Sequence, residues 1–174
     1  MPIIKTIKGI TPIMGKDCFL ADNAVVIGDV VMGDGCSVWF GAIVRGDVHS
    51  IRIGNKVNIQ DGAIVHCTYQ KSPVNIGNNV SIAHRAIIHG CTIHDNVLIG
   101  MGAIIMDNAV IESNSVIAAG AVVLENTVVK TGSVYAGMPA KFVKSIDENL
   151  LAGQVMRIAN SYNMYASWYG EDEQ

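Results

Sequence analysis

Residues 97–123 read VLIGMGAIIMDNAVIESNSVIAAGAVV, and this stretch decides the fold because an aliphatic residue returns every six positions. The recurring residues are Ile99, Ile105, Ile111, Ile117 and Val123. Followed outward in both directions, the same six-residue unit occurs eighteen times between Leu20 and Val129, with a small or β-branched residue at its fifth position. A short fixed period is typical of a solenoid, in which each unit buries its apolar face only by stacking on its neighbours. The sequence therefore predicts an all-β solenoid.

The repeat resembles that of the hexapeptide-repeat proteins, which place three hexads in each coil of a left-handed parallel β-helix. Eighteen hexads then correspond to about six coils, or a prism roughly 29 Å tall at a strand spacing of about 4.8 Å. We expect this β-helix domain to occupy residues 1–143, and the rest of the chain, residues 144–174, to form a C-terminal helix.

Composition agrees with one domain that binds neither nucleic acid nor a membrane. Half of the 174 residues are hydrophobic and 16% are charged, as expected when two of every six side chains face a core. The net charge of −3 provides no basic surface for a phosphate backbone. The chain shows no signal-peptide pattern and no long apolar run, so we expect a cytoplasmic protein with reduced thiols. Its dispersed cysteines are Cys18, Cys36, Cys67 and Cys91.

Three irregularities interrupt the hexads, and all lie close to histidines. Three extra residues fall within RGDVHSIR at 45–52, and five extra residues fall within HCTYQKSPVN at 66–75. One residue is missing between Ile88 and Ile93. Because insertions leave a solenoid as loops at its corners, these breaks predict a functional site at a corner.

The last thirty residues follow helical spacing. Apolar residues recur at Leu151, Val155, Ile158 and Tyr162, which predicts one apolar face that packs on the prism or on a neighbouring subunit. Ser145, with a glutamate three residues later, predicts a capping box at the start of this helix.

Three of the five histidines occupy fixed places in the repeat. His66 and His89 are each the second residue of a hexad, three hexads apart, so we expect both side chains to point the same way from successive coils. His84 is a third residue and is expected on a different face. In a threefold assembly, His84 of one subunit can meet the pair of the next. Three neutral imidazoles with an open fourth position are typical of catalytic zinc.

Three segments together resemble the γ-class carbonic anhydrases, a homotrimeric branch of the hexapeptide-repeat family. The segments are RGD at 45–47, NIQDG at 58–62 and HRAIIHG at 84–90, and the resemblance runs from about Ile10 through the C-terminal helix. It implies that Zn²⁺, or alternatively Fe²⁺, is bound at subunit interfaces. The implied metal ligands are His66, His84 and His89.

The resemblance also implies roles for six further residues. Gln60 is placed to hydrogen-bond the metal-bound water, Asn58 lines the pocket, and Tyr162 comes near the site from the C-terminal helix. The residues expected at the interface are Arg45, Asp47 and Asp61. Arg45 and Asp47 match a pair near the site, and Asp61 matches an acid that pairs with the arginine of another subunit.

The implied reaction is the attack of a metal-bound hydroxide on CO₂ to give bicarbonate. The most active proteins of the class carry glutamates after the RGD-like segment and in an acidic loop after the first ligand. Here Val48 and His49 follow Asp47, and residues 67–75 contain neither Asp nor Glu. We therefore expect slow hydration, with His49 as a candidate proton carrier.

Two other functions fit the same repeat. A hexapeptide-type acyltransferase would need one histidine as general base and no metal, whereas a relative with a metal hydroxide could act as a CoA-thioester hydrolase. A non-catalytic trimeric scaffold would use the ion only to join subunits.

Overall fold

The computed structural model describes residues 1–171, which form a β-solenoid followed by a C-terminal helical segment. Each coil contributes one strand to each of three faces, and each strand pairs in parallel with the equivalent strand of the next coil. We name the first, second and third face in the order in which the chain meets them.

The strands of the first face are β1 (Ile3–Lys5), the first halves of β4 (Val25–Met32) and β6 (Ile43–Ile53), β8 (Ile64–His66), β11 (Ile87–His89), β14 (Ile104–Ile105) and β17 (Val122–Val123). Those of the second face are β2 (Ile13–Met14), the second halves of β4 and β6, β9 (Val74–Ile76), β12 (Thr92–Ile93), β15 (Val110–Ile111) and β18 (Val128–Val129). Those of the third face are β3 (Phe19–Leu20), β5 (Ser37–Val38), β7 (Asn58–Ile59), β10 (Ser81–Ile82), β13 (Val97–Ile99), β16 (Ser115–Ile117) and β19 (Ser133–Ala136).

The predicted left-handed parallel β-helix is confirmed. Within residues 1–171 it has about seven coils, one more than the hexad count predicted. The additional coil begins with β1 and β2, which precede Leu20 and lack the regular repeat. They join the solenoid through backbone pairing with β4.

The core is built from columns of identical or similar side chains. Ile82, Ile99 and Ile117 pair across β10, β13 and β16, and each is 0% exposed. Ala63 and Ala86, at fifth positions of their hexads, are equally buried. The hexad therefore places two inward side chains per face in register with those of the next coil.

The three irregularities meet at the corner between the first and second faces, as the sequence predicted. The register of β4 against β6 shifts after Gly28, and residues 47–50 bulge outward. The longer insertion forms the loop between β8 and β9, and the missing residue shortens the connection between β11 and β12. One corner of the prism thus carries irregular backbone from three successive coils.

The C-terminal helical segment packs on the third face of its own chain, where Val155 is fully buried against Leu98 and Val116. It comprises α1 (Glu148–Leu150), a π-helical turn (Leu151–Met156) and α2 (Arg157–Glu171). No helix in the described range is long and apolar enough to cross a membrane.

The predicted capping box at Ser145 is wrong. The helix is capped by Asp147, whose Oδ1 accepts a hydrogen bond of 2.7 Å from the Leu150 amide. Ser145 instead ends β20 (Lys141–Ser145), which pairs antiparallel with β19 and places Ser145 opposite Ser133. Strand pairing therefore overrides the local helix signal, and the expected boundary between residues 143 and 144 falls inside β20.

Replacing a residue of the core column tests this packing. We expect Ile99→Ala to lower the free energy of unfolding by about 2–5 kcal/mol because it leaves a cavity between Ile82 and Ile117. Val128→Ala, on an outward position that is 42% exposed, should change it by less than about 0.5 kcal/mol. Chemical denaturation measures the free energy of unfolding of both variants. Equal losses would contradict the packing of Ile99 in a core column.

Candidate metal centre

His66 and His89 lie at the ends of β8 and β11 and are direct partners in the parallel register. This confirms that the two side chains occupy equivalent places on successive coils. The Nδ1 atom of His66 is 3.3 Å from the Nε2 atom of His89. Two imidazole nitrogens on one tetrahedral zinc ion, each at about 2.0–2.1 Å, would be separated by roughly the same distance.

A carboxylate holds the far side of each ring. The Nε2–H of His66 donates to Oδ1 of Asp47 at 3.2 Å, and the Nδ1–H of His89 donates to Oδ1 of Asp107 at 2.5 Å. When both rings are neutral, the two nitrogens that face each other present lone pairs, and a shared proton or a metal ion between them relieves their repulsion. A carboxylate behind the ring is typical of histidines that bind a metal. The pair therefore fits a metal ion.

Asp47 also accepts a hydrogen bond of 2.7 Å from Nη1 of Arg45. Burial alone would raise the pKa of Asp47, but the hydrogen bonds from Arg45 and His66 outweigh it and hold this pKa below its ordinary value. Burial, the Arg45 charge and the neighbouring His89 lower the pKa of His66. A neutral imidazole is the form that binds a metal.

His84 lies at the opposite edge of the first face, at the corner with the third face. Its Nδ1 is 2.9 Å from Oδ2 of Asp61, which stacks beneath it from the preceding coil. Within one chain, Asp61 thus pairs with His84, while Arg45 pairs with Asp47. Among residues 1–171 no three His, Cys, Asp or Glu side chains surround a common point in a single chain.

Gln60 and Asn58 form a buried polar ladder on the third face, close in sequence to Asp61. Nε2 of Gln60 donates to Oδ1 of Asn58 at 2.9 Å, and Nδ2 of Asn58 donates to Oγ of Ser81 at 2.8 Å. Gln60 is only 3% exposed. The ladder therefore fixes the amide groups of both residues.

Tyr162 lies on α2 with its ring 5.2 Å from that of Trp39, in an edge-to-face arrangement. Burial, followed by the charges of Asp61 and Tyr165, raises the pKa of Tyr162 to about 12, so its hydroxyl stays protonated at neutral pH. Tyr162 is thus placed on the His84 side of the molecule.

The predicted site residues fall into two groups within one chain. We call one the two-histidine cluster, consisting of Arg45, Asp47, His66, His89 and Asp107. We call the other the one-histidine cluster, consisting of Asn58, Gln60, Asp61, His84 and Tyr162. The first face lies between them.

Asp107 is a member of the two-histidine cluster that sequence reasoning missed. It lies one coil beyond His89, and its other carboxylate oxygen accepts a hydrogen bond from Thr68 in the long insertion. The signal that points to it is Gly90, because a Cβ there would lie only 2.5 Å from Oδ1 of Asp107. The glycine leaves room for the carboxylate to reach His89.

Cys67 and Cys91 adjoin the ligand positions in sequence but are buried, each 1% exposed. Burial raises the pKa of both thiols, that of Cys67 to about 11. A metal-binding thiolate is therefore disfavoured at either position.

Known proteins share this fold and much of this sequence. The family model for bacterial transferase hexapeptide (six repeats) matches residues 11–46 and 90–125, which flank the insertions. A carbonic anhydrase of Geobacillus kaustophilus is 41% identical over 162 residues, or 93% of this chain and 88% of that protein. A solved structure of a hexapeptide transferase family protein from Anaplasma phagocytophilum has a TM-score of 0.91 at 37% identity and covers 96% of this chain and 98% of that one.

Gamma carbonic anhydrase 2, mitochondrial, of Arabidopsis thaliana is 43% identical over 147 residues, which is 81% of this chain. That match covers 53% of the Arabidopsis protein, so the chain spans about half the length of this relative. Fold and repeat define a hexapeptide-repeat protein. The chain belongs to the γ-class carbonic anhydrase-like branch of that family, as the resemblance predicted.

Asp107 provides a test of the two-histidine cluster that does not depend on activity. We expect Asp107→Asn to weaken zinc binding by about 10–100-fold, because His89 loses the charged acceptor that orients it. Asp95→Asn is the matched control, since Asp95 bonds to Asn78 and to no histidine. Competition with a chromophoric zinc chelator measures both affinities, and equal affinities would remove Asp107 from the site.

Proposed function

We propose that this chain is a metal-dependent carbonic anhydrase-like enzyme that hydrates CO₂ to bicarbonate as a homotrimer. The observation that carries the proposal is the 3.3 Å separation of Nδ1 of His66 from Nε2 of His89, with a carboxylate against the other nitrogen of each ring. Zn²⁺ is the proposed ion, with Fe²⁺ as the alternative, because imidazole suits both. The named carbonic anhydrase among the relatives supports the chemistry.

The first face supports the trimer. Its outward positions carry a ladder of isoleucines in direct register, Ile43, Ile64, Ile87 and Ile104. An apolar ladder on the outside of a prism favours burial against another surface. The ladder separates the two clusters, so a copy packed against this face in threefold symmetry brings its one-histidine cluster to the two-histidine cluster of its neighbour. His84 then becomes the third ligand.

The residues of the chain have separable roles in this proposal. When bound, a divalent ion supplies Lewis acidity that lowers the pKa of water from 15.7 to about 7. Asp47 and Asp107 fix the orientation of the two imidazoles. The side-chain NH₂ group of Gln60 donates to Asn58, so the side-chain carbonyl oxygen of Gln60 can accept a hydrogen bond from a reacting water. Tyr162 contributes a protonated hydroxyl.

Within residues 1–171, the site lacks an acidic residue that is free to carry protons to solvent. Residues 67–75 contain no carboxylate, and Asp47 is occupied by Arg45 and His66. His49 lies on the bulge beside Asp47 and is half-buried, with its Nδ1 accepting the Ser50 amide at 2.8 Å. His49 is thus the nearest remaining candidate carrier in sequence, and slow turnover is expected.

Removing one ligand tests the metal. We expect about one Zn or Fe per chain in protein purified anaerobically without chelator, and less than about a tenth of that in His66→Ala. CO₂ hydration should fall in parallel, whereas His94→Ala, which alters an exposed histidine on the second face, should leave both unchanged. Elemental analysis and a pH-indicator assay give the readouts. Full metal content in His66→Ala would rule out the proposed centre.

Changing the ladder tests the assembly. Ile64→Glu places a charge on the first face and should convert the trimer to monomers with loss of bound metal, because His84 then has no partner cluster. Val128→Glu makes the same change on the second face and should leave a trimer. Sedimentation equilibrium distinguishes the two. A metal-loaded monomer of Ile64→Glu would contradict an intersubunit site.

The acyltransferase or thioester hydrolase function remains the second candidate, because a structural neighbour with TM-score 0.91 is named a hexapeptide transferase family protein. Acetyl-CoA turnover that survives exhaustive chelation would favour it. A trimer that needs the ion but turns over neither substrate would indicate the scaffold function.

A further inference from the structure

Cys18 and Cys36 occupy equivalent places on the first two coils, each directly before a strand of the third face. The strands β3 and β5 pair Phe19 with Ser37, and the Phe19 amide donates to the Cys36 carbonyl at 2.9 Å. Equivalent residues of neighbouring parallel strands lie about 4.8 Å apart. That separation is within the Cα range of roughly 4.4–6.8 Å that a disulfide spans.

The two thiols differ in access. Cys18 is half-buried and opens onto a cavity of about 900 Å³ beneath the C-terminal helix, with Lys56 and Asn163 among the residues that line it. Cys36 is 2% exposed and belongs to the core. Both residues line the cavity, but Cys18 is the more exposed of the two, so a small oxidant can reach its sulfur first.

The environment also favours a thiolate at Cys18. The neighbouring Cys36 thiol lowers the pKa of Cys18, although burial and the carboxylates of Asp34 and Asp17 act in the opposite direction. The proximity of Cys18, together with burial, raises the pKa of Cys36. In the reduced chain the Cys18 thiol donates to the Gly33 carbonyl at 3.2 Å and the Cys36 thiol donates to the Gly54 carbonyl at 3.1 Å. Cys67 and Cys91 have their pKa raised by burial and serve as internal references.

We propose that Cys18 and Cys36 form a peroxide-sensitive pair, with Cys18 as the oxidised residue and Cys36 as the resolving residue. In the first step the Cys18 thiolate attacks one oxygen of hydrogen peroxide, the O–O bond breaks and hydroxide leaves, which gives a sulfenic acid. In the second step the Cys36 sulfur attacks the Cys18 sulfur, and the S–O bond breaks. The hydroxide leaves with the Cys36 proton as water. Two thiols lose two electrons, and one peroxide becomes two waters.

The disulfide would link the first coil covalently to the second, and we expect it to be reduced readily. Side chains at equivalent positions of parallel strands point in the same direction and not toward each other, so the bridge forms with local strain. Strained disulfides have higher reduction potentials and are the labile ones. Reversal by a dithiol reagent is therefore part of the expectation.

The test uses the full chain, treated with hydrogen peroxide, then unfolded, alkylated and weighed intact. We expect the mass of the unmodified chain plus two alkyl groups, on Cys67 and Cys91, less about 2 Da for the bridge between Cys18 and Cys36. Dithiothreitol before alkylation should restore four alkyl groups. Cys67→Ser is the matched control and should behave like the parent chain. Alkylation of Cys18 and Cys36 that peroxide leaves unchanged, or a bridge between another pair, would overturn the proposal.

Two variants separate the steps. Cys36→Ser should accumulate a sulfenic acid at Cys18 that dimedone captures, and Cys18→Ser should abolish the 2 Da loss. Far-ultraviolet circular dichroism checks that each variant folds. If Cys36→Ser does not fold, the rate of dimedone capture in the parent chain decides, because Cys18 must then react at least tenfold faster than Cys67. Equal rates would overturn the proposal.

Discussion

Hydrogen bonding between successive coils at one fixed spacing is the constraint on which the rest of this molecule depends. The amide of Ile64 donates to Ala86, and that of Ile87 donates to Ala103, at 2.9 and 2.8 Å. Each such bond holds a residue directly over its equivalent, so side chains at one hexad position form straight columns. The inward columns become an aliphatic core. An outward column becomes a line of functional groups whose separations are set by the backbone.

Within the two-histidine cluster, His66 and His89 form a column of this kind, and an acid from a neighbouring, non-equivalent position lies against each end of it. Asp47, His66, His89 and Asp107 come from four successive coils, with contacts of 3.2, 3.3 and 2.5 Å between neighbours. Asp47, Asp107 and Arg45 together carry one negative charge, which would offset half of the charge of a divalent ion bound by the two imidazoles. The insertions at this corner supply Asp47 and the Thr68 hydroxyl that steadies Asp107. The regular coils therefore align the two histidines, and the irregular backbone at this corner supplies residues that hold them in place.

The parts of this structure that follow the period were predictable from sequence. The six-residue repeat predicts the solenoid, the corner where the insertions meet and the pairing of His66 with His89. Asp107 was missed because MDNAV looks like an ordinary corner, and its contacts with His89 and Thr68, and the room that Gly90 leaves for it, become visible only in the folded chain. The cap at Asp147 was missed because Ser145 pairs with β19 as part of a strand. A capping-box motif is a local pattern and carries no information about pairing with a distant strand. The complete ligand set remains a prediction, since a single chain carries its histidines in two separate clusters.

The antiparallel strand β20 has a consequence for how copies of this chain meet. A parallel solenoid is open at both ends, and an exposed end is a template on which a second copy can add strands. On the third face the last strand is β20, which runs against every strand before it, so its free edge cannot continue the parallel register. Lys141 and Lys144 add charge along this exposed strand. The reversed strand therefore opposes end-to-end stacking of copies into a fibre. The lateral faces of the prism remain available for association with other copies.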